Sequence, residues 1–567
     1  MFVKTTKAKG YTYISVVESF RDEKGITRHK VLYNFGRLDI LRADESFVNC
    51  IKKLCHMIDI PLLEDREKAL TSSDCSEAEM FNYGYLAYKK LWEILGIRDC
   101  LETIGSRGRL QLDLEKTTLL MAIQHLLCPR SKLSTYEHQY VYYGLPEIPL
   151  HHFFRALDKL ADNKEKIEQE LFEINHLKLG QKVDIVFYDV TTFSCQSVKA
   201  DELRNFGYSK DCKFSEVQVV MGLLLDTEGM PIGYELFPGN TFDGKTMADS
   251  LENLKKKFNI RKVVIVADRG LNSKSNLNLI KSAGYGYIVA CRLKSMTKEI
   301  RNKVLDQADY IAVDDDFKYK TIPYTNIFKD DEKKLYQLDE SIVVSWSSKR
   351  AGKDSKDRQR LIDKAEKLLE TPASIDAQSK RGGKKYLKDD SGNQRKWLLD
   401  DEKIADDSLL DGYYGIQTSE SEMSAGDVID AYHMLWRIED CFRIMKSTME
   451  VRPVFHWTPK RIRGHFLMCF LAFMMERKLE NILAEPSAGD AEMGSPEKIR
   501  EALNSMQLAK VTVNGDTVYF KTKNLPLGTK IFRDVSIKTP MNVSKEEQLD
   551  ERFHIPQNTV DRQISFL

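Results

Sequence analysis

The sequence has no apolar run of the roughly 18 residues that a membrane-spanning helix needs. Its N-terminus, "MFVKTTKAKGYTYISVV", is basic but lacks the apolar core and small-residue cleavage site of a signal peptide. These absences predict a cytoplasmic protein with no membrane partner. Charge of one sign is missing too: 86 Lys and Arg stand against 85 Asp and Glu, a net charge of +1. That excludes a polybasic coat but not a local basic face. The ten cysteines form no CxxC pair and no Cys/His cluster in the sequence. They read as reduced core thiols, with no zinc site. Internal repeats, coiled-coil heptads and a clear helix-turn-helix are also missing.

What is present is 567 residues, 42% hydrophobic and 30% charged, enough for several soluble domains with sizeable cores. Two stretches are locally basic. "SKRGGKKYLK" (379–388) is a glycine-containing loop. "RIMKSTMEVRPVFHWTPKRIR" (443–463) interleaves bases with Phe455 and Trp457. Such runs are ordinarily solvated surface; beside a nucleic acid they supply phosphate contacts and stacking.

The chain divides by pattern. Residues 1–75 hold a hairpin, "YTYISVVES" and "ITRHKVLYNF" about the turn "DEKG". Residues 76–180 read as helices and as a possible DNA-end-binding region; "LEKTTLLMAIQHLL" (114–127) is apolar on nearly every side and should be buried. From 181 to 296 the pattern is strand, strand, strand, helix, strand, helix, strand. The strands are "VDIVFYDVTTF", "EVQVVMGLLLD", "IGYELFPGN", "VVIVA" and "YGYIVACRL". The helices are "DGKTMADSLENLKKKF" and "SKSNLNLIKSAG", the second with a Ser cap and a glycine stop. A meander followed by alternating helix and strand is an α/β mixed sheet, the β-β-β-α-β-α-β order of the ribonuclease H-like fold. Residues 297–410 interrupt it as a polar, β-containing insertion domain. Helices resume over 411–484, and 485–567 are a linker and a small mixed segment.

Three carboxylates stand out. Asp189 closes the first strand of the core and Asp268 the fourth, and in this fold those strands adjoin. Glu439, in "WRIEDCFRIMK", lies on a helix able to pack along the same edge. Two carboxylates so close repel one another; a divalent cation relieves that. Mg²⁺ takes one or two carboxylates plus water and phosphate oxygens. Two such ions roughly 4 Å apart can drive an in-line phosphoryl displacement. A lone Asp at a strand end is ordinarily a turn or cap residue, and a lone Glu on a helix a surface residue. The order and spacing of all three favour the metal reading. The neighbours fit: Thr191 and Thr192 follow Asp189, and Arg269 and Gly270 follow Asp268. Tyr432, Glu439, Arg443 and Lys446 would share one helical face. Arg443, Lys446, Arg461 and Arg463 are candidate phosphate contacts.

Together "YDVTTF", "FGYSK", "GLLLDTEGMPIGYELFPGNTFDGKT", "VVIVADRGLNSKSNL" and "WRIEDCFRIMK" resemble bacterial DDE transposases. The group is the one named for insertion sequence four, in the branch named for insertion sequence 1634. The resemblance spans roughly residues 10–480. It implies a ribonuclease H-like catalytic domain with a β-rich insertion, Mg²⁺ or Mn²⁺ as cofactor, and cutting and joining of DNA at terminal inverted repeats. It also implies a homodimer in the synaptic complex and association with the nucleoid when bound to DNA. By position it gives Asp189, Asp268 and Glu439 as the catalytic and metal-binding acids. The signature Tyr-x2-Arg-x3-Glu-x6-Lys is met by Tyr432, Glu439 and Lys446, while Leu435 holds the Arg position and Arg437 follows two residues later. Tyr432, Arg437, Arg443, Lys446, Thr191 and Arg269 are therefore the candidate DNA contacts. In relatives the insertion helps hold the transposon end, sometimes through an aromatic; Trp346 and Trp397 are those available. Two other readings remain: a DNA-binding protein that has lost catalysis, and a ribonuclease H-like nuclease acting on junctions or hybrids.

Overall fold

A computed structural model describes residues 1–23, 27–58, 79–106, 112–207, 215–241, 246–258, 263–329, 334–370, 375, 382–389, 397–484, 494–513 and 516–553. Two compact units result. One comprises Met1–Met80, Ala509–Phe520 and Asn542–Gln548; the other holds the rest of the chain.

In the first unit, β1 (Phe2–Ala8), β2 (Tyr11–Arg21) and β3 (Thr27–Arg37) form an antiparallel sheet. The hairpin expected from the sequence is β2 and β3, and β1 adds a strand that was not foreseen. Lys9 and Gly10 both have positive φ, 49° and 81°, as a two-residue turn matched to strand twist demands. The tip 24–26, with Gly25 of "DEKG", lies outside the described residues. Helices Leu38–Ala43 and Glu45–Met57 follow; Asp44 caps the second by accepting from the amides of Ser46 and Phe47.

The second unit is built on a nine-stranded sheet. Its strands are β5 (Ile185–Ser194), β6 (Gln218–Leu225), β7 (Pro231–Pro238), β8 (Val264–Ala267), β9 (Gly286–Cys291), β10 (Ile311–Ala312), β11 (Phe317–Lys329), β12 (Leu335–Ser347) and β15 (Tyr413–Thr418). A short β4 (Glu79–Asn82) precedes them in the chain, and β13 (Leu387–Asp389) and β14 (Trp397–Leu399) pair separately. The order is β10-β11-β12-β15-β9-β8-β5-β6-β7. Within it, β5, β6 and β7 form an antiparallel meander while β5, β8 and β9 run parallel. Numbering those five as first to fifth gives the spatial order 3-2-1-4-5, the ribonuclease H-like arrangement. The stretch 297–410, expected as a β-containing insertion, holds the β13–β14 pair and two long strands. Its long hairpin, β11 and β12, joins the core sheet through β15, which pairs antiparallel with β9. Edge pairing on β9 satisfies backbone groups that an independent hairpin would leave open.

Alternate residues of β5 serve two layers, as a sheet covered on both faces requires. Val186, Tyr188 and Val190 join a core with Leu251, Ile265, Leu277 and Tyr287. On the other face Phe193 meets Phe466 edge to face, ring centroids 5.2 Å apart. Phe466 belongs to helix Pro459–Ala484, whose central residues are buried on every side. That helix packs on Leu86–Ile94, Leu114–Leu127 and Leu150–Asp162. No helix among the described residues is long and apolar enough to cross a membrane.

Candidate functional site

Parallel pairing sets two of the acids. Residues 185–188 of β5 pair in register with 264–267 of β8, ending at Tyr188 opposite Ala267. Asp189 and Asp268 are the next residue on each chain, so they are neighbours across strands about 4.8 Å apart and point to the same face. Asp268 directly follows the last residue of β8, Ala267. Asp189 does not end its strand: β5 runs on to Ser194, because β6 keeps pairing with it through Gln218 after β8 has stopped. Asp189 is thus mid-strand and half-buried, while Asp268 is exposed.

The third acid arrives on a broken helix. The expected continuous helix divides into Ala425–His433, then Trp436–Arg443, then a wide π-turn over Ile444–Thr448. Tyr432 and Glu439 therefore sit on consecutive helices rather than one. The Trp436–Arg443 helix packs on β5, and Lys446 stands 5.7 Å from the Phe193 ring centroid. Phe193 shares the β5 face of Asp189 and Thr191. Glu439 lies on the Trp436–Arg443 helix, which packs on β5, and its side chain is exposed.

All three donors are carboxylate oxygens, a hard set that suits Mg²⁺ or Mn²⁺. Their oxygens do not all lie within 4.8 Å of one another. Among the described residues that mutual spacing is met by His125, His465 and Cys469. A two-ion site does not require every pair of ligands to touch.

The supporting residues differ in what they do. The Tyr432 hydroxyl donates toward Asp268 Oδ1 at 3.5 Å and accepts from Tyr414 at 2.8 Å. Burial pushes both tyrosines' pKa up, so each stays a neutral donor. Tyr414, on β15, had no sequence signal of its own. Arg350 lies 4.2 Å above its ring. Asn272 ties the segment after Asp268 to β9 and β15, donating to the Ala290 carbonyl at 2.7 Å and to Gln417 at 3.2 Å. Thr191 is buried on β5. Arg269 is exposed. Arg443 is exposed and pairs with Asp440. Arg437 turns away from the acids and donates to the Thr227 carbonyl. Leu435, at the signature Arg position, is buried. Arg461 is engaged by Asp158 at 3.3 Å and by the Phe154 ring. Trp346 and Trp397 are half-buried, with Lys318 and Lys384 over their rings. Phe455 and Trp457 are 57% and 70% exposed, a rare state for such large rings. Beside Asp268, a cleft of about 450 Å³ is lined by Arg269, Arg292, Lys294, Arg350, Arg358 and Lys385, together with Asp354 and Asp357.

A 3-2-1-4-5 sheet with paired acids on its two central strands defines the ribonuclease H-like class. Residues 180–475 match the transposase DDE domain, and residues 2–57 match the N-terminal domain of the IS1634 family of transposases. The chain belongs to the DDE-domain transposases. No curated protein matches it in sequence. Among solved structures it is similar to a piggyBac transposase synaptic complex with hairpin DNA, at 8% identity and a TM-score of 0.35, over 85% of this chain and 88% of that one. A Mos1 transposase paired-end complex with the left transposon end is similar at 13% identity and a TM-score of 0.14, over 32% and 60%.

Proposed function

We propose that this transposase cuts and joins DNA at the terminal inverted repeats of an insertion sequence, with Asp189, Asp268 and Glu439 as its metal-binding acids. The register that makes Asp189 and Asp268 neighbours carries this reading. A pair of Mg²⁺ or Mn²⁺ ions, when bound, activates the attacking oxygen and stabilises the leaving one. The residues of the chain hold and orient. Tyr432, steadied by Tyr414, fixes the Asp268 carboxylate by a hydrogen bond to one oxygen. Thr191 stands two residues from Asp189 on the same face. The cations of the cleft beside Asp268 take backbone phosphates, a sequence-independent term that positions the DNA. Lys446, at the end of the Glu helix, extends that positive track. Arg437 has no part in it, since its guanidinium holds the β6–β7 turn. Joining two ends requires two copies of the chain in one synapse.

The test is cleavage of DNA carrying the element's ends in Mg²⁺ or Mn²⁺. Asp189→Asn, Asp268→Asn and Glu439→Gln should each abolish nicking and strand transfer while binding of the ends persists. Full activity in any of them would remove that residue from the site. Equal cleavage of four-way junctions or RNA–DNA hybrids would point to a different nuclease.

A further inference from the structure

Buried polar atoms without partners are rare, and His125 has two. The residue is 4% exposed, and neither Nδ1 nor Nε2 has a hydrogen-bond partner. Helix Leu114–Leu127 sets this ring against helix Pro459–Ala484, where His465 and Cys469 stand four residues apart on one face. The two imidazoles meet edge to face, centroids 5.7 Å apart. Cys469 Sγ lies 3.7 Å from His465 Nε2. One donor atom from each residue lies within 4.8 Å of the other two. Zinc holds sulfur at about 2.3 Å and nitrogen at about 2.0–2.1 Å, which in a tetrahedron sets the two donors about 3.5 Å apart. The observed Cys469–His465 spacing is close to that value.

We propose that His125, His465 and Cys469 bind one zinc ion, separate from the carboxylate site, that clips helix Leu114–Leu127 to helix Pro459–Ala484. Two imidazoles and a thiolate are a borderline-to-soft set that favours Zn²⁺ over Mg²⁺. Burial holds both histidines well below their ordinary pKa, so they present the neutral form a metal needs. Burial also pushes the Cys469 thiol up to about 12; binding displaces its proton to solvent as the sulfur–zinc bond forms. A cavity of about 520 Å³ beside the trio, lined in part by Lys132, His456 and Trp457, leaves room for water as fourth ligand.

The charged groups that act on the two histidines are cationic, and Glu450 lines the cavity beside them. Lys132 is buried, and burial lowers its pKa to about 8. Arg500 acts on His125. The His456 ring lies 5.0 Å from that of His465, and Arg461 acts on His456. Removing the buried positive charge of Lys132 should favour a cation, so Lys132→Met should tighten metal binding.

The experiment uses the full, untagged chain, stripped with chelator and titrated with Zn²⁺ or Co²⁺. The expected result is one ion per chain, a thiolate-to-cobalt charge-transfer band with Co²⁺, and a rise in melting temperature on adding Zn²⁺. Cys469→Ser should lose the band and the rise; Asp268→Asn should keep both. Absence of the band in the wild-type chain overturns the proposal whether or not any variant folds. So does a zinc-dependent rise that survives Cys469→Ser.

Discussion

Replacing glycine by alanine inside a helix ordinarily stabilises it by about 1 kcal/mol, because alanine loses less backbone entropy. Two glycines in this protein separate that gain from its opposite. Gly352 lies in helix Ser348–Leu369, and a Cβ built there meets nothing within 4 Å. Gly464 lies in helix Pro459–Ala484, where a Cβ would stand 2.0 Å from the carbonyl oxygen of Leu157. Real Cβ atoms do not approach closer than 3.0 Å, so the two helix backbones must part by about 1 Å. The obstacle is main chain and cannot rotate away. Parting them loosens a packed interface, at about 1–3 kcal/mol for overpacking and more where neighbours cannot follow. The contact therefore outweighs the propensity gain. Gly352→Ala should raise the urea midpoint, and Gly464→Ala should lower it by the equivalent of about 1–2 kcal/mol, both read by circular dichroism under the same conditions. If both variants move the midpoint upward, the close crossing of helices Leu150–Asp162 and Pro459–Ala484 is wrong.

Asp226 is pushed up to about 6 by burial in the β6–β7 turn. The fold then binds its proton more tightly than the unfolded chain does, so its contribution to stability falls as pH rises from about 4 to 6, by about 3 kcal/mol. Asp226→Asn keeps an acceptor for the Glu228 and Met230 amides and should flatten that part of the pH–stability curve; an unchanged slope in urea melts from pH 4 to 8 would refute this. The fully buried Glu168 carboxylate is gripped by Lys164 at 2.8 Å and Lys257 at 2.7 Å, so Glu168→Ala should destabilise by about 3–5 kcal/mol; a loss under about 1 kcal/mol would mean the pair is solvated. Arg350→Ala should weaken binding of any duplex alike and lower the salt slope by about 1; a loss confined to one sequence would assign it to base recognition instead.

The core of the fold was legible because its strands are short apolar runs rich in Val and Ile, each bounded by turn residues. That gave the order of five strands and put Asp268 at a strand end. What was hidden depends on contacts between distant segments. Asp189 is mid-strand because β6 outreaches β8, and sequence gives no measure of a neighbour's length. The hairpin β11–β12 joins the main sheet through β15, a pairing no local pattern announces. The break after His433 leaves helical periodicity intact on both sides, so Tyr432 and Glu439 read as one face. Arg437 has the chemistry of a phosphate contact, but its guanidinium donates to the Thr227 carbonyl, far away in the chain. Tyr414 carries no motif; it matters only because its hydroxyl reaches Tyr432. The sequence also argued against any Cys/His cluster, because His125 meets His465 and Cys469 only when two helices far apart in the chain cross.

The proposed activity requires Asp189, Asp268 and Glu439 to share a cation site. Crystals soaked in Mn²⁺ and measured at the manganese edge test it directly. Anomalous density bounded by the carboxylates of Asp189, Asp268 and Glu439 is the predicted result. Manganese bound elsewhere, with any one of those side chains turned out of its coordination, would contradict it.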